Sequence, residues 1–388
     1  MKVKNFFSLR DDAAIDFTVD PSSRRNMDPL PENIIESNGD SFVNIIGLFG
    51  GNAAGKSNII KAIEFCRNLI LNSHLYNEGD EFDFQPFKFD KDKPSEFYMD
   101  FVAGDVEYEY SFSILDGCII KESLYHYPNR RKAKVFMRED GHIYSYGKGL
   151  IPRPAEIEAN VGPKTLFLSR ASSMNRAIPK AVYNFFLNNI MTGIDGFNPK
   201  DITRDDFEKC RPILLRALEV SDSDIIDIRW DATVPGRMRL LSFHRENPEI
   251  PFDFEKEESD GTKRLLFILL TLFKKLIDGC TVFLDEFDLK LHLYLAEFIL
   301  DVVRASQSMQ LVFTSHNPML IDATRLRPEQ IVIVTKQPDG NSEFVSLSDY
   351  EGIGQIPDIR KAYLQGRFDG VPYIGNIRPL ISSAFGKI

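Results

Sequence analysis

Gly50-Gly51-Asn52-Ala53-Ala54-Gly55-Lys56-Ser57 follows an apolar run from Phe42 to Phe49 and opens a helix-like stretch from Asn58 to Leu71. This is a complete G-x-x-x-x-G-K-S loop in the strand–loop–helix setting that phosphate binding requires. Glycines let successive backbone N–H groups, through Asn52, Ala53 and Ala54, curl around phosphate oxygens. Lys56 supplies a cation for the outer phosphates, and the Ser57 hydroxyl is a ligand for Mg²⁺. The helix behind the loop, beginning at Asn58, adds the partial positive charge of its N-terminus. The reading is a nucleotide site, with ATP and Mg²⁺ as the expected ligands.

A phosphate loop alone leaves the chemistry open. Thr281-Val282-Phe283-Leu284-Asp285-Glu286 narrows it, being an apolar strand that ends in two carboxylates. Asp285 is placed to hold Mg²⁺ opposite Ser57, and Glu286 to orient and deprotonate an attacking water. A pair of acids capping the following helix is the bland alternative. Ser259-Asp260-Gly261-Thr262 precedes a long apolar helix spanning 262–276. Its Ser259 hydroxyl and exposed N–H groups suit a γ-phosphate, although Ser259 also reads as an ordinary N-cap. Asp288 follows the acid pair directly. His316, in Thr314-Ser315-His316-Asn317-Pro318, sits at a strand's carboxyl end, where α/β sheets bind ligands.

The ordered set GGNAAGKSN (50–58), SDGT (259–262), VFLDE (282–286), FDLKLH (287–292) and TSHNP (314–318) resembles the ABC-type ATPase heads of the SMC, Rad50, RecF and OLD group. The resemblance implies that Ser259 and Gly261, with Thr262, form the signature motif, Asp288 the D-loop and His316 the switch histidine. It also implies a head-to-head homodimer with ATP held between Lys56 of one copy and Ser259 of the other. A narrower resemblance rests on Asn5-Phe6-Phe7-Ser8, on Glu258 to Arg264 and on Lys361-Ala362-Tyr363-Leu364-Gln365-Gly366-Arg367-Phe368. These are similar to stand-alone bacterial anti-phage ATPases of abortive-infection, Rlo-type or PARIS-type systems. That likeness implies a separate effector, such as a Toprim-like or other nuclease, and a phage-derived trigger.

Some elements depart from the pattern. SDGT replaces the usual glutamine-rich signature wording, which argues against a transporter. Gln85 and Asn175 are both candidates for the Q-loop, each also readable as structural. About 200 residues separate Lys56 from Ser259 without heptads, so no long coiled coil is expected. No Toprim-like set of acids follows His316.

The 388-residue chain is 43% apolar and 27% charged, a globular composition. Its longest apolar run, 265–273, is too short to span a bilayer. Its start lacks the apolar core of a signal peptide. The four cysteines, Cys66, Cys118, Cys210 and Cys280, lie far apart and read as reduced thiols in a cytoplasmic protein. The net charge of −10 implies no general polyanion surface. The run from Arg130 to Lys134 reads as a solvated hairpin or a local nucleic-acid contact, which leaves nucleic acid open as a partner.

The expected fold is α/β: an ABC-type ATPase head with a mixed or parallel phosphate-loop core, an antiparallel β lobe and a helical insertion. Residues 1–75 and 255–345 are expected to build the head, 76–160 and 221–254 the lobe, 161–220 the helical insertion and 346–388 a C-terminal extension. Glycine and aspartate turns at 104–105, 116–117 and 140–141 space an aromatic and β-branched meander through Tyr146. Two functions compete at this point, a regulatory ATPase of phage defence and a RecF-like repair ATPase. An ATP-binding scaffold without turnover conflicts with an intact Glu286.

Overall fold

The computed structural model describes residues 1–19, 30–77, 79–193, 202–220, 224–231, 239–276, 279–289 and 291–371. Among them the strands form a six-stranded core sheet, a seven-stranded sheet and two smaller ones. In the core sheet Ile45–Phe49 lies between Gln310–Ser315 and Ile331–Lys336, both parallel to it. Thr281–Leu284 pairs parallel with Gln310–Ser315, and Ser342–Ser346 closes the opposite edge antiparallel. Ile45–Phe49 is buried along its whole length, as a strand covered on both faces must be.

Alternation along these strands divides the interior in two. Ile46, Leu48, Phe283, Val312, Val332 and Val334 face one cluster. There they meet Ile59, Ile63, Cys66 and Ile70 of the helix Lys56–Asn72, a spacing that lines one helical face. Ile45, Phe49, Val282, Leu284, Leu311 and Phe313 face the other. Helices Arg204–Val220, Asp260–Leu276 and Leu293–Arg304 cover that side.

The seven-stranded sheet is antiparallel, in the order Ile143–Tyr146, Ala133–Glu139, Cys118–His126, Val106–Leu115, Ser95–Ala103, Lys2–Lys4, Ala13–Ala14. The expected turns hold: Asp116 and Gly117 take φ of +49° and +69°, the left-handed pair a two-residue hairpin needs. Tyr108, Tyr110, Phe112 and Ile114 point inward and their neighbours outward. A charge is buried with them. Glu122 accepts from Tyr110 Oη at 2.9 Å and from the N–H groups of Phe167 and Leu168 at 2.7 and 2.9 Å. It thereby ties the first turn of helix Phe167–Ser173 to the sheet. Arg138, 1% exposed, lies 3.9 Å from Glu122 and donates to the carbonyls of Thr165 and Gly141 at 2.8 Å.

Strand pairing amends several expectations. Strands 2–4 and 13–14 bond to the antiparallel sheet rather than to the core sheet, because Val3 and Ala13 supply buried positions there. Ile34–Ser37, within the stretch expected to build the head, is a strand. It pairs with Asp40–Val43 across Asn38-Gly39, a hairpin dipeptide with both φ positive. The apolar run 42–49 is two strands parted at Asn44, whose buried amide donates to the Glu32 carbonyl. The helical stretch 164–192 breaks at Asn175, with φ of +57°, and ends in Ile190–Thr192. That strand pairs parallel with Thr281–Phe283, so the insertion delivers an edge to the core sheet. Ile225–Trp230, Leu240–His244 and Pro251–Asp253 form a sheet of their own instead of joining the lobe. It packs on Arg204–Val220, with Phe207 against Trp230 at 5.9 Å and Arg211 donating to Asp227 and to the Ile228 carbonyl.

Removing one partner of a buried ion pair strands the other. Arg138→Met should therefore lower the unfolding free energy by roughly 3–5 kcal/mol, read by urea denaturation. A loss within the range of an exposed pair, about 1 kcal/mol or less, would show that Glu122 needs no cation.

Candidate active site

Three adjacent strands deliver the site from their carboxyl ends. Ile45–Phe49 runs into the phosphate loop, whose first residue, Gly50, passes so close to the Val334 carbonyl that a Cβ would collide with it. Ala53 takes φ of +59°, and Gly55 takes +105° as the N-cap of Lys56–Asn72. A Cβ on Gly55 would collide with the Ser342 hydroxyl and stand 2.7 Å from Ser8 Oγ. Those two hydroxyls bond each other at 2.7 Å, and Asn58 Nδ2 donates to Ser8 Oγ at 2.6 Å. The loop is thus seated against the chain's start and the 342–346 strand.

Lys56 is 5% exposed and folds over its own loop. Its Nζ donates to the carbonyls of Gly50 at 2.9 Å and Gly51 at 3.0 Å, and stands 3.3 Å from His316 Nδ1. Burial pushes the ammonium pKa down, while Asp285 and Glu286 pull it back up.

Ser57 Oγ donates to Asp285 Oδ1 at 3.0 Å. A hydroxyl and an exposed carboxylate side by side are the hard oxygen donors that Mg²⁺ takes, and this pair fits it. Thr314 Oγ1 donates to the same Asp285 Oδ1 at 2.5 Å and accepts the Glu286 N–H at 2.7 Å. Glu286 sits at φ of +45°, unusual for a side-chain-bearing residue, and its carbonyl accepts from Arg264 Nη2 at 2.7 Å. His316 Nε2 is 3.7 Å from Glu286 Oε1. The imidazole therefore stands between the loop cation and the candidate base.

The other expected residues are placed differently. Ser259 caps Asp260–Leu276: its Oγ accepts the Thr262 N–H at 3.1 Å and lies 2.8 Å from Thr262 Oγ1. Gly261 is in that first turn. Among the described residues, Ser259, Gly261 and Thr262 make no hydrogen bond to the phosphate loop of their own chain. Asp288 bonds the Ser315 hydroxyl of the same chain, and burial raises its carboxyl pKa against that bond. Asn52 is exposed at the loop's tip. Asn175 accepts from Lys180 at 2.6 Å and closes a helix, whereas Gln85 bonds Phe7 N–H through its carbonyl. In the basic run, Lys132 pairs with Glu109 at 2.6 Å and stacks over Tyr125, and Lys134 donates to Ser145.

Sequence reasoning assigned no role to Thr314, Ser315, Arg264 or Ser342. Thr314 and Ser315 lie within the TSHNP stretch, but nothing in their spacing marks a hydroxyl that faces another strand's acids. The C-terminal motif at 361–368 acquires a physical explanation. Its helix, Ile359–Leu364, closes at Gly366 with φ of +79°, and buries Tyr363 and Phe368. The preceding Arg360 donates to the Ile321 carbonyl and to Asp322 at 3.3 Å, bracing the segment just after His316.

Cys66, Cys118 and Cys210 are free thiols. Among the described residues no helix is long and apolar enough to cross a membrane.

Three solved structures share low identity with the chain. An SMC head bound to the C-terminal winged-helix domain of ScpA is 15% identical, covering 92% of this chain and 98% of that one, with a TM-score of 0.48. The SMC head domain from Thermotoga maritima is 16% identical over 89% and 97%, with a TM-score of 0.42. An SMC head with an extended coiled coil, bound to the C-terminal domain of ScpA derived from Pyrococcus furiosus, is 14% identical over 91% and 97%, with a TM-score of 0.41. No curated protein matches. Residues 45–322 match the family described as "AAA domain, putative AbiEii toxin, Type IV TA system". That span runs from the first residue of the phosphate-loop strand past His316 and encloses the loop, both acids and the turn at 259–262, so the chain belongs to this family of phosphate-loop ATPases.

Proposed function

We propose that the chain binds ATP with Mg²⁺ and hydrolyses it, acting as the regulatory or sensor ATPase of a bacterial anti-phage defence system that controls a separate effector. The observation that carries the hydrolytic part is one mouth in which Lys56, Ser57, Asp285, Glu286 and His316 are joined by direct contacts. Lys56 turns its ammonium toward outer phosphate oxygens in place of an acceptor that it holds now. Ser57 and Asp285 hold Mg²⁺, which supplies charge stabilisation to the phosphate oxygens when bound. Glu286 accepts the proton of the water that attacks the γ-phosphorus, and ADP leaves as the β–γ bridging bond breaks. His316, beside both Lys56 and Glu286, lies where it can touch the γ-phosphate.

One chain leaves the signature turn unused. We assign Ser259, Gly261 and Thr262 to the triphosphate of a second copy, so that ATP clasps a head-to-head homodimer. The AbiEii and toxin–antitoxin wording of the family supports defence over repair. So does the pairing of Lys132 within the lobe, which takes a cation from any nucleic-acid surface there. The effector is taken to be a nuclease, engaged when a phage-derived signal alters the nucleotide state.

Glu286→Gln should keep ATP bound and accumulate dimer by light scattering while turnover falls by about 10²–10⁴; turnover at the native rate in that variant would remove Glu286 from the chemistry. Lys56→Ala and Ser259→Arg should each be inactive alone. Mixed in equal amounts they should regain about a quarter of the native rate, because random pairing in a two-fold dimer leaves one intact composite pocket in each hybrid. No recovery on mixing, with both variants folded, would rule out the shared pocket.

A further inference from the structure

We propose that Thr314 is the positioning residue of the acid pair, its single hydroxyl fixing both the direction of the Asp285 carboxylate and the backbone of Glu286. The inference rests on the hydrolytic reading of this site and assigns a part to a residue outside the phosphate loop and the acids themselves.

The hydroxyl's polarity is determined by its neighbours. A threonine hydroxyl has one proton to donate and lone pairs to accept with. Asp285 is acceptor-only as a carboxylate, and the Glu286 N–H is donor-only. The proton therefore goes to Asp285 Oδ1, at 2.5 Å, and a lone pair takes the Glu286 N–H, at 2.7 Å. Thr314 is fully buried while Asp285 is exposed, so water reaches the carboxylate from outside and the hydroxyl holds it from within. Its main-chain carbonyl also accepts the Phe287 N–H at 3.3 Å. One residue thus grips three consecutive positions of the neighbouring strand's end.

That grip matters because Glu286 is in a conformation it would otherwise leave. Its φ of +45° is disfavoured for a residue with a Cβ and persists only when its surroundings over-determine it. Thr314 holds the N–H end of the residue, and Arg264, from the first turns of Asp260–Leu276, holds the carbonyl end at 2.7 Å. Asp285 is held in the same way, with Ser57 and Thr314 hydroxyls both on Oδ1. Without the threonine hydroxyl the carboxylate that meets the metal is free to rotate, and the base loses its backbone anchor. A valine in its place would fill the same buried strand position, so packing and hydrogen bonding separate cleanly.

The test compares Thr314→Val, Thr314→Ala and Thr314→Ser in the full chain. Steady-state ATP hydrolysis is measured alongside Mn²⁺ affinity, by electron paramagnetic resonance titration in the presence of a non-hydrolysable ATP analogue. Loss of an outer partner of a metal ligand typically costs on the order of 10–100-fold in affinity or activity. Val and Ala should each lose kcat on that scale, with the KM for ATP changing by less than about threefold, and should bind Mn²⁺ more weakly. Ser should restore both. Native turnover and Mn²⁺ affinity in Val or Ala would overturn the proposal, as would a Ser variant as impaired as Val. Should Val fail to fold, Ala and Ser give the same comparison. A native chain that binds nucleotide and Mn²⁺ without turnover would sink the hydrolytic reading alone, because Mn²⁺ affinity in the variants still decides the role of Thr314.

Discussion

The parallel register of Gln310–Ser315 between two neighbours is the constraint on which the site depends. Ser315 lies opposite Phe49, the last residue before the phosphate loop, and Phe313 lies opposite Leu284, the last before the acids. Three strands therefore end within two residues of one level, and whatever follows each emerges beside the others. Side chains alternate faces along a strand, so a slip of one residue would turn Thr314 from the acids toward the other side of the sheet. The alternating burial of Val312 and Phe313 in opposite cores makes such a slip expensive. Apolar packing thus sets the position of a polar site that contributes little burial of its own.

The two faces of the core sheet carry different loads. One receives the helix behind the phosphate loop and the antiparallel lobe, joined through the clamp of Glu122 on the helix Phe167–Ser173. The other receives Asp260–Leu276, which begins at Ser259 and reaches Glu286 through Arg264. Just before Ser259, Glu258 accepts from Ser242 and lies 3.0 Å from His244 Nε2, while Asp224 meets the same imidazole at Nδ1. Burial works against the charged imidazole, but the two carboxylates prevail and raise its pKa. The small sheet of 225–230, 240–244 and 251–253 is therefore tied to the turn at 259–262, and that turn's helix to Glu286.

Legibility in the sequence followed the length and periodicity of each element. Thr281–Leu284 was readable to the residue, because the apolar run there ends at the two acids. The charged residues that the structure brings together were conspicuous because glycine spacing and terminal acids have few other uses. Ile190–Thr192 was not: three residues after a helix cannot display a period of two, and only the partner strand 281–283 makes them a strand. Ile34–Ser37 is flanked by polar residues, and only Asn38-Gly39 signals its hairpin. The strands 2–4 and 13–14 look alike whichever sheet receives them, and pairing across more than 80 residues decides it. Hydroxyls such as Thr314 and Ser315 were opaque for a related reason. What singles them out is a hydrogen bond to Asp285 and to Asp288, and no local pattern encodes which strand will lie alongside.

The state of Lys56 explains how occupancy of the pocket would reach the base. An ammonium has three protons, and this one faces three acceptors: two loop carbonyls and the Nδ1 of His316. A phosphate entering the loop competes for the same protons with a full negative charge, and charge-assisted bonds are the stronger kind. The imidazole, sharing the lysine through Nδ1, is the partner whose release costs least, since it is held at 3.3 Å while the carbonyls are held at 2.9 and 3.0 Å. Its other nitrogen lies 3.7 Å from Glu286, too long for a hydrogen bond but close enough to form one after a small rotation. On the proposed reading, the cation that recognises phosphate and the acid that activates water are thus coupled through one ring. Anything that moves the 316–322 segment, braced by Arg360 from the C-terminal helix, acts on both at once.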